Sequence, residues 1–164
     1  MSVLVVRLLQ PDDDQQMLGR LVQHAYFALP GYPHDPDYDD SLADIAGRVG
    51  EAQVVVAELD GELVGCLTFV PDQTSDHHEF DDPYCASFRY FGVSPAAQGQ
   101  GVGEAMVRWC IDAARAAGQQ RLRIHTLETM PGAQRLYQRL GFARDPEGDE
   151  EWDGIKGLAY VFHC

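Results

Sequence analysis

A chain of 164 residues can bury roughly two-thirds of its unfolded surface around one core, so one domain over 1–164 is expected. Its 26 acidic and 12 basic residues give a formal charge of −14, with Lys156 the only lysine; that disfavours nucleic acid as a partner and favours cations. Cys66, Cys85, Cys110 and Cys164 lack metal or redox spacing, and the start "MSVLVVRLLQPDDD" suits neither a membrane span nor a signal peptide, so a cytoplasmic protein with no metal is expected.

In chain order, "VLVVRLL" (3–9) is β-branched and stops before Pro11, as a short strand does. Residues 14–29 read as a helix, since Leu18, Leu21, Val22, Ala25 and Leu29 recur at helical spacing before Pro30-Gly31. The prolines and glycine of "GYPHDPDYDD" mark a loop, and "SLADIAGRVG" (41–50) a second short helix. "QVVVAELDGELVGCLTFV" holds two apolar strands around Asp60-Gly61, a dipeptide suited to a tight hairpin turn. Residues 71–83 are polar and acidic, and longer than a hairpin connection needs; loops of that length are often functional lids.

"ASFRYFGV" (86–93) is the next strand, followed by a helix from about 101 to 117 that Gly118 caps. "RLRIHT" (121–126) is a strand, and "PGAQRLYQRL" (131–140) a short helix set between Pro131 and Gly141. "GFAR" begins a further strand, "DPEGDEEWDG" is an acidic loop, and "LAYVFHC" closes as a strand. This order implies an α/β (α+β) fold, a mixed sheet with helices packed on its faces.

The segment "AAQGQGVGEAMV" (96–107) places glycines at 99, 101 and 103 between a strand and an amphipathic helix. Such a turn leaves backbone N–H groups free at the positive end of the helix, where a phosphate can rest against the main chain. A nucleotide P-loop would need Lys-Ser/Thr after the last glycine, and Glu104-Ala105 stand there instead. A dinucleotide fingerprint would need glycine at Glu104 or Met106.

"FGVSPAAQGQGVGEAMV" resembles the cofactor-binding segment of the GNAT superfamily of acyl-CoA-dependent N-acyltransferases, whose pattern is V-x-P followed by Q/R-x-x-G-x-G/A. Val93, Pro95, Gln98, Gly101 and Gly103 fall in register, and "AQRLYQRLGF" (133–142) is similar to that family's second segment. The resemblance implies a mostly antiparallel central sheet of about six or seven strands flanked by about four helices. It implies acetyl-CoA as co-substrate, with Gln98, Gly99, Gln100, Gly101, Val102, Gly103 and Glu104 at its pyrophosphate. Phe91, Gly92 and Val93 would lie along its pantetheine arm, with Met130 and Ala133 as further contacts. Met130 stands where the family often has Asn, and Gln98 where it often has Arg, which leaves Arg135 and Arg139 as candidate phosphate partners.

The implied reaction is direct acetyl transfer to a primary amine. Tyr137 matches the family tyrosine that protonates the departing sulfur. Alkylammonium groups lose their proton near pH 10.4, so a base is useful at neutrality. Glu79, Asp81 and Asp82 in the acidic loop, and Glu128 with His125 at a strand end, are the candidates; the residues do not choose among them. The acidic loops point to a small cationic acceptor or a basic peptide, with Tyr32, Tyr38, Phe80, Tyr84 and Trp152 as apolar walls. No nucleic acid or membrane partner is expected, and a homodimer stays open. The alternative is an acyl-CoA-binding or regulatory module that keeps the fold without the chemistry.

Overall fold

A computed structural model describes all residues, 1–164. In chain order its elements are β1 (Leu4–Leu8), α1 (Gln15–Phe27), α2 (Pro36–Ala43), β2 (Gln53–Leu59), β3 (Glu62–Val70) and β4 (Cys85–Val93). They continue as α3 (Val102–Ala116), β5 (Arg121–Leu127), α4 (Pro131–Arg139), β6 (Ala143–Arg144), β7 (Glu150–Trp152) and β8 (Ile155–His163). The eight strands form one mixed sheet in the order β1-β2-β3-β4-β5-β8-β6, with β7 also on β8; only β4 and β5 run parallel.

β2 shows how this chain covers both faces of the sheet. Successive strand residues point to opposite sides, and "VVVA" is apolar at every position. Val55 and Ala57 enter a core with α3, whose Met106, Val107, Cys110 and Ile111 are buried. Val54 and Val56 enter a second core with Leu18 and Val22 of α1 and Leu42 of α2.

The second helix lies earlier in the chain than residues 41–50. Asp35 accepts from the N–H groups of Asp37 (3.0 Å) and Tyr38 (3.2 Å), and Pro36 opens the first turn with its φ already suited to a helix. The cap-plus-proline signal outweighs the loop character of the surrounding prolines and glycine. The acidic stretch 145–154 also departs from a plain loop. Arg144 grips Asp149 at 2.7 and 2.8 Å, and Asp153-Gly154 turns β7 back onto β8 through two positive φ angles.

The long 71–84 connection contains no helix or strand but is tied down. Asp82 receives two 2.9 Å bonds from Arg121, and His78 Nε2 lies 3.1 Å from the Cys85 carbonyl. The Arg121 hydrogen bonds hold the Asp82 carboxyl down to about 2 against the opposing effect of burial. A depressed folded pKa contributes stability above the ordinary value of 3.8, and that contribution is lost as pH falls toward 2. Asp82→Asn is therefore expected to cost about 1–2 kcal/mol at pH 7, solvent at Arg121 screening the pair. Urea titrations should show the gap to wild type closing between pH 4 and 2.

Candidate active site

β4 and β5 pair only at Cys85–Arg121 and Ala86–Leu122. From Ser87 onward β4 has no partner on that side, and the strands part around a cavity of roughly 1160 Å³. That is larger than most small-molecule pockets and leaves room for two reactants. One end is lined by the turn entering α3 and by α4; the other by α1, α2, the 71–84 connection and the β7–β8 hairpin.

At the first end, Gly99 and Gly101 have φ of +80° and +82°, and a Cβ on either would meet nothing within 4 Å. Backbone conformation, rather than space, is what calls for glycine there. The N–H groups of Gly99, Gln100, Gly101, Val102, Gly103 and Glu104 donate to no acceptor in the protein. Successive bare amides at a helix start make an anion cradle. Gln98, Gly99, Gly101, Val102, Gly103 and Glu104 line the cavity, as do Phe91, Gly92, Val93, Met130 and Ala133, whereas Gln100 does not. Arg139 also lines it and stands 3.7 Å from Glu104, but Arg135 does not reach the wall.

In the middle of the cleft β4 carries a bulge. Its register against β3 passes from Thr68–Arg89 to Cys66–Gly92, so Leu67 faces two residues, Tyr90 and Phe91. Tyr90 takes a φ of +54° and is gripped between the guanidiniums of Arg48 (4.2 Å) and Arg89 (4.3 Å). Gly92 is explained by packing: a Cβ there would lie 3.0 Å from Ala25 Cβ and 3.2 Å from Val22 Cα. That close approach of α1 puts the Tyr26 hydroxyl 3.2 Å from the Phe91 nitrogen, where it accepts the Phe91 N–H.

Tyr137 borders the cavity from α4, with its ring against Phe88, Phe142 and Tyr160 and only 4% of its surface exposed. Its hydroxyl bonds to no protein atom, and burial raises its pKa above the ordinary tyrosine value. It therefore keeps its proton at neutral pH.

Of the carboxylates nominated from sequence as the base, Glu79 alone lines the cavity. Asp82 is committed to Arg121 and Arg123, and Asp81 and Glu128 are exposed outside it. Glu79 accepts no hydrogen bond. Its oxygens lie 3.7 Å from Arg89 Nε and 3.6 Å from His125 Nδ1, two buried nitrogens that also lack partners. Burial pushes the Glu79 carboxyl up, but His125, Arg89 and His78 together hold it below the usual range. The His125 ring stacks on Phe80 at 4.4 Å, and its Nε2–H donates to the Gly148 carbonyl at 2.8 Å. Asp35, Asp76, Glu150 and Asp153 surround this end, walled by Tyr26, Tyr32, Tyr38 and Trp152. Phe80 is buried behind His125, and Tyr84 lies exposed elsewhere.

The model of the acetyltransferase (GNAT) family matches residues 17–142, which include both the glycine turn and the helix of Tyr137. The chain belongs to that family. Mycothiol acetyltransferase of Sanguibacter keddieii is 34% identical over 108 residues, which cover 62% of this chain and 33% of that protein. The chain thus spans about a third of that relative's length. A GCN5-related N-acetyltransferase of Kribbella flavida superposes with a TM-score of 0.74 at 24% identity, covering 98% of both chains. The yncA protein of Salmonella typhimurium, solved with its cofactor acetyl-CoA, gives 0.69 at 23% identity over 98% of this chain and 93% of its own.

This GNAT chain contains features that no local motif announced. Tyr26 and Arg89 reach the site only through the packing of α1 and the bulge of β4. Cys85 has a histidine neighbour, with His78 Nε2 3.5 Å from its sulfur. Burial pushes that thiol up to about 12, so it stays protonated at neutral pH.

Gly103 differs from Gly101: an added Cβ would make ordinary contacts with Leu136 (3.5 Å) and Phe91 (3.6 Å), with no strain in φ. Gly101→Ala should therefore cost about 1 kcal/mol in urea unfolding, whereas Gly103→Ala, inside α3, should be neutral or stabilise by up to about 0.5 kcal/mol.

Proposed function

We propose that this acetyltransferase moves the acetyl group of acetyl-CoA directly onto a primary amine, and that its acceptor is small and cationic. The observation that carries the donor half is the run of free N–H groups from Gly99 to Glu104 at the mouth of a cleft where β4 lacks a neighbour. Amides suit a pyrophosphate in so acidic a chain, because they bind anions without depending on net charge. The unpaired edge of β4 suits the two amides of a pantetheine arm, which would lie beside Phe91, Gly92 and Val93 as a strand does. Met130 and Ala133, at the start of α4, would close the other side.

Acetyl-CoA supplies a thioester carbon open to attack. The chain's own groups bring the amine to it and supply the leaving sulfur with a proton. Glu79 is the base we assign. It is ionised at neutrality and lacks hydrogen bonds, so an incoming ammonium gives it the donor that Arg89 and His125 are too distant to provide. As a carboxylate on the wall of an open cavity it can relay the ammonium proton to water. Tyr137, neutral and unbonded, is the acid that donates to the departing sulfur.

The acceptor's charge is inferred from the walls: six carboxylates line the cavity against two guanidiniums. Four of the acids surround Glu79's end, where the tyrosines and Trp152 supply aromatic walls suited to a cation.

Tyr137→Phe should leave CoA binding by calorimetry within about twofold while turnover falls at least about 10-fold. Unchanged turnover would remove Tyr137 from the chemistry, and a parent that binds CoA but acetylates no amine would favour a binding module. Glu79→Gln should lower kcat/KM for a diamine by about 100-fold, with kcat falling at least about 10-fold as the base is lost and KM rising as the ammonium loses its partner. The wild-type value should fall as salt rises, and across an amine panel neutral acceptors should show no salt dependence.

A further inference from the structure

The Phe91 N–H is the first amide after the strained Tyr90, at the point where β4 leaves its regular pairing. It does not face the cleft bare. The Tyr26 hydroxyl accepts it at 3.2 Å, and no oxygen or nitrogen of the protein accepts the Tyr26 proton in turn. A phenol that accepts one bond and leaves its own donor unused is a donor waiting for a ligand atom. Its ring is fixed edge-on against Tyr32 (5.9 Å) and Tyr38 (6.4 Å), and α1 is pressed onto β4 at Gly92, so the hydroxyl is held in place. It opens on the same cavity as Tyr137, whose proximity adds to the burial and to Tyr38 in raising the Tyr26 pKa.

We propose that Tyr26 is a catalytic residue whose hydroxyl, backed by the Phe91 N–H, donates a hydrogen bond to the carbonyl oxygen of the acyl group. This rests on the acetyl-CoA reading of the cleft. As the amine forms its bond to the carbonyl carbon, the π pair shifts to oxygen and that oxygen gains charge. The Tyr26 donor shortens onto it without giving up its proton, since the phenol stays neutral. When the carbon–sulfur bond breaks, the pair returns to the carbonyl, the sulfur takes a proton from Tyr137, and the nitrogen loses one through Glu79. The Phe91 amide polarises the hydroxyl from behind, so the two donors act in series. A preorganised donor at a developing oxyanion acts far more on the transition state than on the ground state.

A tyrosine that merely pinned α1 to β4 would not alter the bond order of a bound carbonyl, and this distinguishes the two roles. Wild type and Tyr26→Phe should be loaded, without acceptor, with acetyl-CoA labelled with carbon-13 at the carbonyl, and the stretch read by isotope-edited infrared spectroscopy. In the wild type the band should lie below its frequency in water. In the variant it should rise, while CoA affinity by calorimetry stays within about twofold and kcat falls about 100-fold. Placing 3-fluorotyrosine at position 26 makes a stronger donor in the same shape and should lower the band further, which keeps the test available if Tyr26→Phe does not fold. Equal carbonyl frequencies in wild type and variant, or no response to fluorination, would overturn the assignment. Failure of the wild type itself to bind acetyl-CoA would overturn the underlying reading instead, and calorimetry separates the two.

Discussion

The interaction on which the rest depends is one that β4 stops making. It is hydrogen-bonded to β5 through Ala86 and then loses that neighbour, while β3 continues to hold its other edge. A strand with one satisfied and one unsatisfied edge would be a hazard at a protein's surface. Here it lies at the bottom of a cleft between α3 and α4 on one side and α1 with the β7–β8 hairpin on the other. The Tyr90 bulge re-aims the backbone within that open stretch, and the strained φ persists because Arg48 and Arg89 clamp the ring from two sides. Arg48 is itself buried, at 2% exposure, and is tied to the carbonyls of Ser41 and Leu42. The end of α2 and the centre of the sheet are thus mechanically joined.

An acidic protein proposed to bind a polyanionic co-substrate faces an electrostatic conflict, and the cavity separates the opposing demands in space. The glycine turn offers partial positive charge from amides and the α3 dipole, which net charge does not cancel over short distances. The carboxylates that line the cleft lie mostly at the far end, around Glu79. Glu104 is the exception, and Arg108 and Arg139, each 3.7 Å away, offset it. The two ends can therefore hold ligands of opposite sign within one continuous space.

Much of this was legible in the chain because the information is local. Asp60-Gly61, the cap at Gly118 and the Pro131–Gly141 frame of α4 each act within a few residues, and the elements form where those signals stand. The family segments "VSPAAQGQGVG" and "AQRLYQRLGF" likewise carry their meaning in short spacing, and they led to the right fold and family. The short helix was misplaced because two local signals conflicted, and the cap at Asp35-Pro36 overrode the run of turn formers. Among five nominated residues only long-range packing could separate Glu79 and His125, which face the cavity, from Asp82, spent on Arg121 across 39 positions of sequence. Tyr26 was out of reach for the same reason: its partner is 65 residues away, and nothing near it in the sequence marks the contact.

The burial of the thiols has a consequence for any enzyme that lives with an activated thioester. A thiolate near such a compound would be acylated by simple exchange, and the catalyst would slowly modify itself. Cys66 and Cys85 have their thiols pushed up to about 12, and complete burial also raises Cys110 well above the ordinary thiol value, so none offers a thiolate at neutral pH. Cys164 is the one exposed sulfur, at the far end of the chain, and its pKa is also raised. Colorimetric reagents that count free sulfhydryls should accordingly register one slow equivalent per folded chain, leaving released coenzyme readable above it.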